Sequence, residues 1–477
     1  MKAWKQFARG VIAILWCGMC SAALWAQEQS DDKPKPAARV LLPLPDLNGN
    51  QQDDEQGSQT MQPDRGPVGG VQAGTLGTSE IRHSYWVTGL QYGNSTQTNS
   101  VSTTATTGGW STANYASGNL SLLEAWGHSL LGANYSGGGS FSSDSGSTQY
   151  HQLSSAWQLD GRRWQALIVE QLSYLPQSSF GFGGTTGLAV PGISGALAAP
   201  LPGLQQVFVP GQSVLSAIGP RYSSSSGAQL TYGVSRRGAF TAAVVYGLLR
   251  FSNSGNVSND TEILNAAYNY AVSRKNSIGV IYRFTAYHFP GNPQALGDQL
   301  FEFMYARRVT GRLALNLAGG PDVARFRFPV NGSKQVISGG GAASLVYAFS
   351  KSSLRMNYSH GIGGGSGFFS GSRTDELSAN LGWPLSRAWT GSLNLGYARN
   401  STIVTLKALS SPTYTSWITG AGLNRPLGRS MRFSLGYQAV IQSSNGVICN
   451  TPACQTTQIS HQIQTSIQWN APPQVLR

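Results

Sequence analysis

From about residue 83 to residue 469 the chain runs in segments of roughly ten residues, in which large apolar side chains alternate with small or polar ones. Leu377, Ala379, Leu381 and Trp383 alternate with Glu376, Ser378, Asn380 and Gly382. Met431, Phe433, Leu435, Tyr437, Ala439 and Ile441 alternate with Arg432, Ser434, Gly436, Gln438 and Val440. Ile463, Thr465, Ile467 and Trp469 do so with Gln462, Gln464, Ser466 and Gln468. Successive residues of a strand point to opposite faces, so each segment predicts a strand with one apolar and one polar side.

Short and long connectors take turns between the segments. The short ones fall at residues 127–128, 159–162, 235–238, 273–276, 309–312, 350–352, 384–387 and 424–430. The long ones run over approximately 94–116, 137–147, 176–222, 253–260, 290–296, 320–334, 361–373, 400–412 and 443–456. These eight tight turns and nine long loops join about eighteen strands. Sixteen is the alternative, because residues 117–126 and 164–174 carry apolar side chains on both faces.

The first residues place the protein outside the cytoplasm. Lys2, Lys5 and Arg9 precede an apolar run from Val11 to Met19, and small residues surround Ala23 and Ala26. Residues 1–26 therefore read as a secretory signal peptide cleaved after Ala23 or Ala26. The run is shorter than the roughly 20 apolar residues of a membrane helix, and no later stretch approaches that length. Residues 27–80 are rich in Asp, Gln, Pro and Gly without sustained periodicity, and read as a disordered acidic periplasmic segment. Within it, residues 39–47 mix apolar side chains with prolines, as a sticky linker or a docking motif would. Cys449 and Cys454 are the cysteines of the mature chain, close enough to close a small disulfide loop in an oxidising compartment. A zinc pair fits less well, since His461 stands alone nearby.

Charged residues make up only 11% of the chain, against about 25% in soluble domains. A secreted β-sandwich would also alternate, but the signal peptide, the short/long connector alternation and an outer face almost free of charge favour a wall facing lipid. Such a sheet must close on itself to satisfy its backbone. The fold class expected is therefore all-β: a transmembrane antiparallel up-and-down barrel over residues 81–477, with both chain ends periplasmic. Aromatics support it. Trp164, Phe349, Trp383, Trp389, Phe433 and Trp469 fall near short turns, and Tyr92, Tyr135, Phe301, Tyr397, Tyr414 and Tyr437 near long loops, as two interfacial girdles would.

On this pattern residues 83–469 resemble a bacterial outer-membrane porin-type barrel, whose last strand ends on an aromatic as the segment ending at Trp469 does. Residues 470–477, beyond that tryptophan, depart from the pattern. The resemblance implies a channel in the bacterial outer membrane for passive or weakly selective diffusion of small hydrophilic solutes. The partners it implies are outer-membrane lipids, small solutes and the barrel-assembly machinery, with a homo-oligomer as an option. It implies no cofactor and no nucleic-acid partner.

From residue 81 onward there are 26 basic against 11 acidic side chains, a net +15, whereas residues 27–80 carry 4 against 9. The barrel is strongly basic, which suggests a bias toward anions. Many of the cations, among them Arg162, Arg163, Arg236, Arg237, Arg387 and Arg429, sit at short turns, where they would meet lipid headgroups or the acidic segment. Strand phase places Arg283, Glu302, Arg355 and Arg432 on the polar face as pore-lining candidates, with Arg283 and Glu302 able to pair across consecutive strands. Glu170 is a further candidate on a strand whose phase is ambiguous. The third long connector, 176–222, is free of acids and bases before Arg221, and its position resembles the porin loop that folds inward. The histidines are scattered, and no hydrolase, metal-binding or phosphate-cradling motif points to an enzyme. A surface-exposed binding barrel with an occluded lumen, and an uptake channel for a hydrophobic solute, are the competing functions.

Overall fold

The computed structural model describes residues 84–98, 110–142, 146–175, 221–252, 256–273, 275–292, 294–328, 332–365, 369–403, 413–445 and 458–475. The expected signal peptide, acidic segment, connector 176–220 and Cys449–Cys454 loop lie outside them. The strands are β1 (Tyr85–Thr98), β2 (Trp110–Trp126), β3 (Ser129–Ser142), β4 (Gly146–Asp160), β5 (Trp164–Leu175) and β6 (Arg221–Gly233). They continue as β7 (Gly238–Phe251), β8 (Asn259–Ala271), β9 (Asn276–His288), β10 (Ala295–Arg308), β11 (Leu313–Phe328) and β12 (Gly332–Ala348). The last are β13 (Ser353–Gly363), β14 (Ser372–Pro384), β15 (Thr390–Thr402), β16 (Thr413–Leu427), β17 (Met431–Asn445), β18 (Gln458–Asn470) and the two-residue β19 (Gln474–Val475).

Each strand from β1 to β18 pairs antiparallel with the next, and β18 returns to β1 with Gly89 opposite Asn470 and Gln97 opposite Gln462. The result is a closed eighteen-stranded up-and-down barrel, so the sixteen-strand alternative falls. Both doubtful segments pair along their length, β2 with β1 and β3, β5 with β4 and β6. Their ambiguous phase has a cause inside the barrel. Leu123, Ala156, Leu167, Val169, Val245 and Ile263 form a buried cluster on the inward face, so apolar side chains occupy both sides of these strands. β1 begins and β18 ends at the short-turn end, and the tail does not leave the wall. The Ala471 amide donates to the Thr88 carbonyl, and Gln474–Val475 pair with Trp86 and Tyr85, so β19 prolongs the seam.

Four short turns share one device that explains their composition. The hydroxyl of Ser235, Ser273, Thr310 or Ser386 accepts hydrogen bonds from the backbone N–H groups two and three residues on. A Ser or Thr at that place closes the turn locally and leaves the intervening positions in water, where Arg236, Arg237, Lys275, Arg312 and Arg387 stand.

Alternation sorts the faces. On β10, Phe301, Phe303 and Tyr305 are exposed while Leu300, Glu302 and Met304 are buried. Outward aromatics gather in two bands, Trp86, Trp126, Trp164, Phe240 and Trp469 toward the short turns, Tyr92, Tyr135, Tyr246, Trp417 and Tyr437 toward the long connectors. Tyr414, expected in the second band, is buried on the inward face of β16, in phase with Ser416 and Ile418.

Strands β1 to β18, 11 to 17 residues long, outrun the ten-residue pattern. The stretch 320–334, expected to be a long connector, is strand on either side of 329–331. Pro321 faces outward on β11 opposite Gly339, and the β10–β11 ladder skips it, passing from Leu300 opposite Asp322 to Phe303 opposite Gly319. A proline has no N–H to give that ladder, so the gap is where proline is tolerated. Beyond Gly341 opposite His360, β12 leaves β13 and pairs with β11 alone, so the β11–β12 hairpin rises past its neighbour.

Candidate functional site

The chemistry lies on the inward wall, where strand phase brings charged side chains from distant segments together. Arg221, Arg283, Arg308, Lys334, Arg355 and Arg432 face inward, and so do Asp160, Asp298, Glu302, Asp322 and Glu376. These described residues, six basic and five acidic, are nearly balanced in sign. The basic excess of the chain therefore resides mostly elsewhere, much of it on the short turns.

The densest group spans β9, β10 and β11. Leu300 pairs with Arg283 on one side and Asp322 on the other, while Asp298 lies one inward position above it and Glu302 one below. Three carboxylates thus surround one guanidinium within about two strand spacings, roughly 10 Å. Asp298, Glu302 and Asp322 are all buried. The expected proximity of Arg283 and Glu302 is observed as a diagonal relation, since Glu302 stands directly opposite Ile281. With all four groups charged the patch is net negative, so it attracts the cationic end of a solute and repels anions.

Arg355 and Arg432 do face inward, opposite Asn380 and Gln468, but near the short-turn end and away from this patch. Glu170 does not join the wall at all. On β5 it shares its phase with exposed Trp164 and Tyr174, while Leu167 and Val169 are buried inward. Ser224 of β6, also outward, donates to its Oε1 at 3.5 Å. Apolar side chains on the inner face of β5 hid this phase. Asp298, Asp322, Glu376 and Arg221 were missed from sequence. Asp298 keeps the even-numbered phase of Glu302, a usable signal, whereas Asp322 lay in the stretch taken for a connector.

A lining of amides and hydroxyls surrounds the charges. Gln165 and Gln158 donate to the Asp160 carboxylate at 2.7 and 2.9 Å, Gln462 donates to Ser95 at 2.8 Å, and Thr374 donates to Asn400 at 3.0 Å. Such cross-strand pairs hold polar groups in place on a wall that meets water. The described histidines take no part: His128 is in a turn, and His151, His288, His360 and His461 belong to the outward face.

Above the charged patch, toward the long connectors, the wall turns apolar. Tyr287, Phe289, Leu296, Ala324, Phe326 and Ile362 form a buried cluster. The described residues of the β13–β14 connector, 364–365 and 369–371, fold inward onto it. Phe369 is buried, Asn292 donates to Ser370 at 3.0 Å, and Gly364 lies against Tyr287 and Asn259. Gly371, at φ +99°, is pressed so close to Leu296 that a Cβ there would come within 2.8 Å of its Cδ2. The mouth over β9–β11 is thereby narrowed by a connector expected to lie outside.

No protein-family model and no curated protein sequence matches the chain. Among solved structures it is similar to a BenF-like porin from Pseudomonas fluorescens Pf-5, at 10% identity and a TM-score of 0.45, over 83% of this chain and 100% of that one. OccK9 (OpdG) of Pseudomonas aeruginosa is similar at 13% identity and a TM-score of 0.43, over 82% and 99%. Acinetobacter baumannii OccAB1 follows at 10% identity and 0.43, over 83% and 100%. At these values the strand register itself, rather than the likeness, establishes the barrel.

Proposed function

We propose that this chain is a bacterial outer-membrane channel through which small hydrophilic solutes diffuse, with its short turns and both chain ends periplasmic and its long connectors outside. The observation that carries the reading is the closure of eighteen strands with an apolar, aromatic-banded outer face and an inner face bearing charges of both signs. Purified, folded protein in a planar bilayer is expected to give single-channel current steps. Folded protein that inserts and gives none would overturn the channel in favour of a binding barrel, the second reading, which the inward β13–β14 connector favours.

The nearly balanced inner wall supports weak ion selectivity. An anion preference would arise at the basic turns, where it is screened by salt, so it should fade as ionic strength rises. Neutralising the buried patch by Asp298→Asn, Glu302→Gln and Asp322→Asn together is expected to shift the reversal potential toward anions, raising the anion-to-cation permeability ratio several-fold. An unchanged potential would remove the patch from the conduction path.

Glu170 provides the complementary control. Because it lies outward, Glu170→Leu is expected to leave conductance and reversal potential unchanged while stabilising the barrel in lipid by about 1 kcal/mol, read from the urea midpoint. A change of selectivity would place its side chain in the lumen after all.

A further inference from the structure

We propose that the outward face of β8–β11, at the long-connector end, binds a phosphate-bearing lipid of the surrounding leaflet. The inference rests on the outer-membrane reading above. Two rows of paired residues define the surface. Glu262, Ala286, Gly297 and Arg325 follow one another across β8, β9, β10 and β11, and one step higher come Asp260, His288, Ala295 and Arg327. Ala286, Gly297 and Ala295 make a shallow floor. Arg325 and Arg327 stand along one edge and His288 beside it, all three exposed.

The arginines are the unusual element. They lie two apart on the same face of β11, so their charges sit side by side, roughly 7 Å apart by strand geometry. Their cross-strand neighbours are Gly297 and Ala295 on β10 and Gln335 and Ser333 on β12, none of them acidic. The inner carboxylates Asp298 and Asp322 point to the other side of the sheet. Across the floor, Asp260 is engaged by Arg250, which donates to its Oδ1. Two neighbouring guanidiniums with small residues beside them suit a phosphate, which they can grip through paired N–H donors.

The wall beneath decides that the phosphate comes on a lipid. Toward the short turns the same columns run through Phe284 and Tyr282 on β9, through Gln299 and then Phe301 and Phe303 on β10, and through Val323 and Pro321 on β11, so Gln299 is the one polar side chain in that row. Phe301 and Phe303 meet edge to face at 5.5 Å and present an apolar ridge. A ligand with a phosphate head and acyl chains matches both levels at once, whereas free phosphate matches only the upper one.

The test is native mass spectrometry of the detergent-solubilised full chain with bisphosphorylated lipid A, its dephosphorylated form, or inorganic phosphate as competitor. The wild-type protein is expected to retain the bisphosphorylated lipid, and Arg325→Gln/Arg327→Gln to bind it about tenfold more weakly. Equal retention by the double variant, or of the dephosphorylated lipid, would overturn the proposal, and displacement by inorganic phosphate at comparable affinity would reassign the site to a free anion. If the double variant does not fold, Arg325→Lys/Arg327→Lys replaces it, with an expected loss of a few-fold because lysine cannot form the forked contact; no loss would again overturn the site. Conductance of the same samples separates the two readings. Lipid binding lost with current steps intact sinks only the lipid site, and absent steps with lipid retained sink only the channel.

Discussion

Gly320→Val is expected to destroy the heat-resistant barrel, while Gly319→Val, one residue away, is tolerated. Gly320 faces inward on β11 where the ladder to β10 is interrupted by Pro321, and the backbone of β10 comes very close there. A Cβ at Gly320 would overlap the Phe301 carbonyl oxygen and approach Glu302 Cα to 3.1 Å, and backbone atoms cannot swing aside as the end of a side chain can. Overpacking commonly costs 1–3 kcal/mol, and a displaced strand places this case at or above about 3 kcal/mol. At Gly319, on the outward face, the nearest atom to a new Cβ is the Gly340 carbonyl oxygen at 3.6 Å, an ordinary contact. Heat-modifiable gel migration and urea unfolding of the two variants check the pair. Equal behaviour would show that the β10–β11 register is not as described.

Gly371→Val is expected to raise single-channel conductance roughly twofold, since the width of the narrowest section limits current. Gly371 holds a left-handed backbone conformation that a β-branched residue resists, and its new side chain would collide with Leu296 and press on Phe326. Both effects drive the β13–β14 connector off the inner wall. Asn292→Ala, which removes the bond to Ser370, should move conductance in the same direction by less. A folded Gly371→Val channel with wild-type current would mean that the connector lies beside the path rather than across it.

Much of this architecture is legible in the residues. Strands such as β14, β17 and β18 announce themselves through strict alternation, and short turns punctuate the strands, so the inward phase of Arg283, Glu302, Arg355 and Arg432 follows from pattern, while pattern favours eighteen strands but leaves sixteen open. Alternation fails where the inner face is itself apolar. Leu167 and Val169 look like outward-facing residues but belong to an interior cluster, and Glu170, on the outward face beside them, is misplaced as a result. The connector expected over 320–334 fails for a different reason. Pro321 and the glycines opposite it are compatible with strand only because β10 and β12 both loosen their pairing nearby, a tertiary circumstance. The inward β13–β14 connector depends on contacts with residues far along the chain, Gly371 with Leu296 and Ser370 with Asn292, which spacing along a chain does not encode.

The seam between β1 and β18 has a kinetic consequence. It joins the first strand of the chain to the last, Gly89 with Asn470. Closing a loop of that span costs about 5 kcal/mol of chain entropy if nothing has formed between them, and far less once neighbouring hairpins have zipped up. Hairpin growth should therefore precede closure, leaving β1 as the edge that waits longest for a partner. Its Gly89, Gly93, Asn94 and Ser95 make that edge a poor template for stray strands. The tail that runs on through Ala471 to Val475 then acts as a latch, adding pairing to β1 after the final strand has docked.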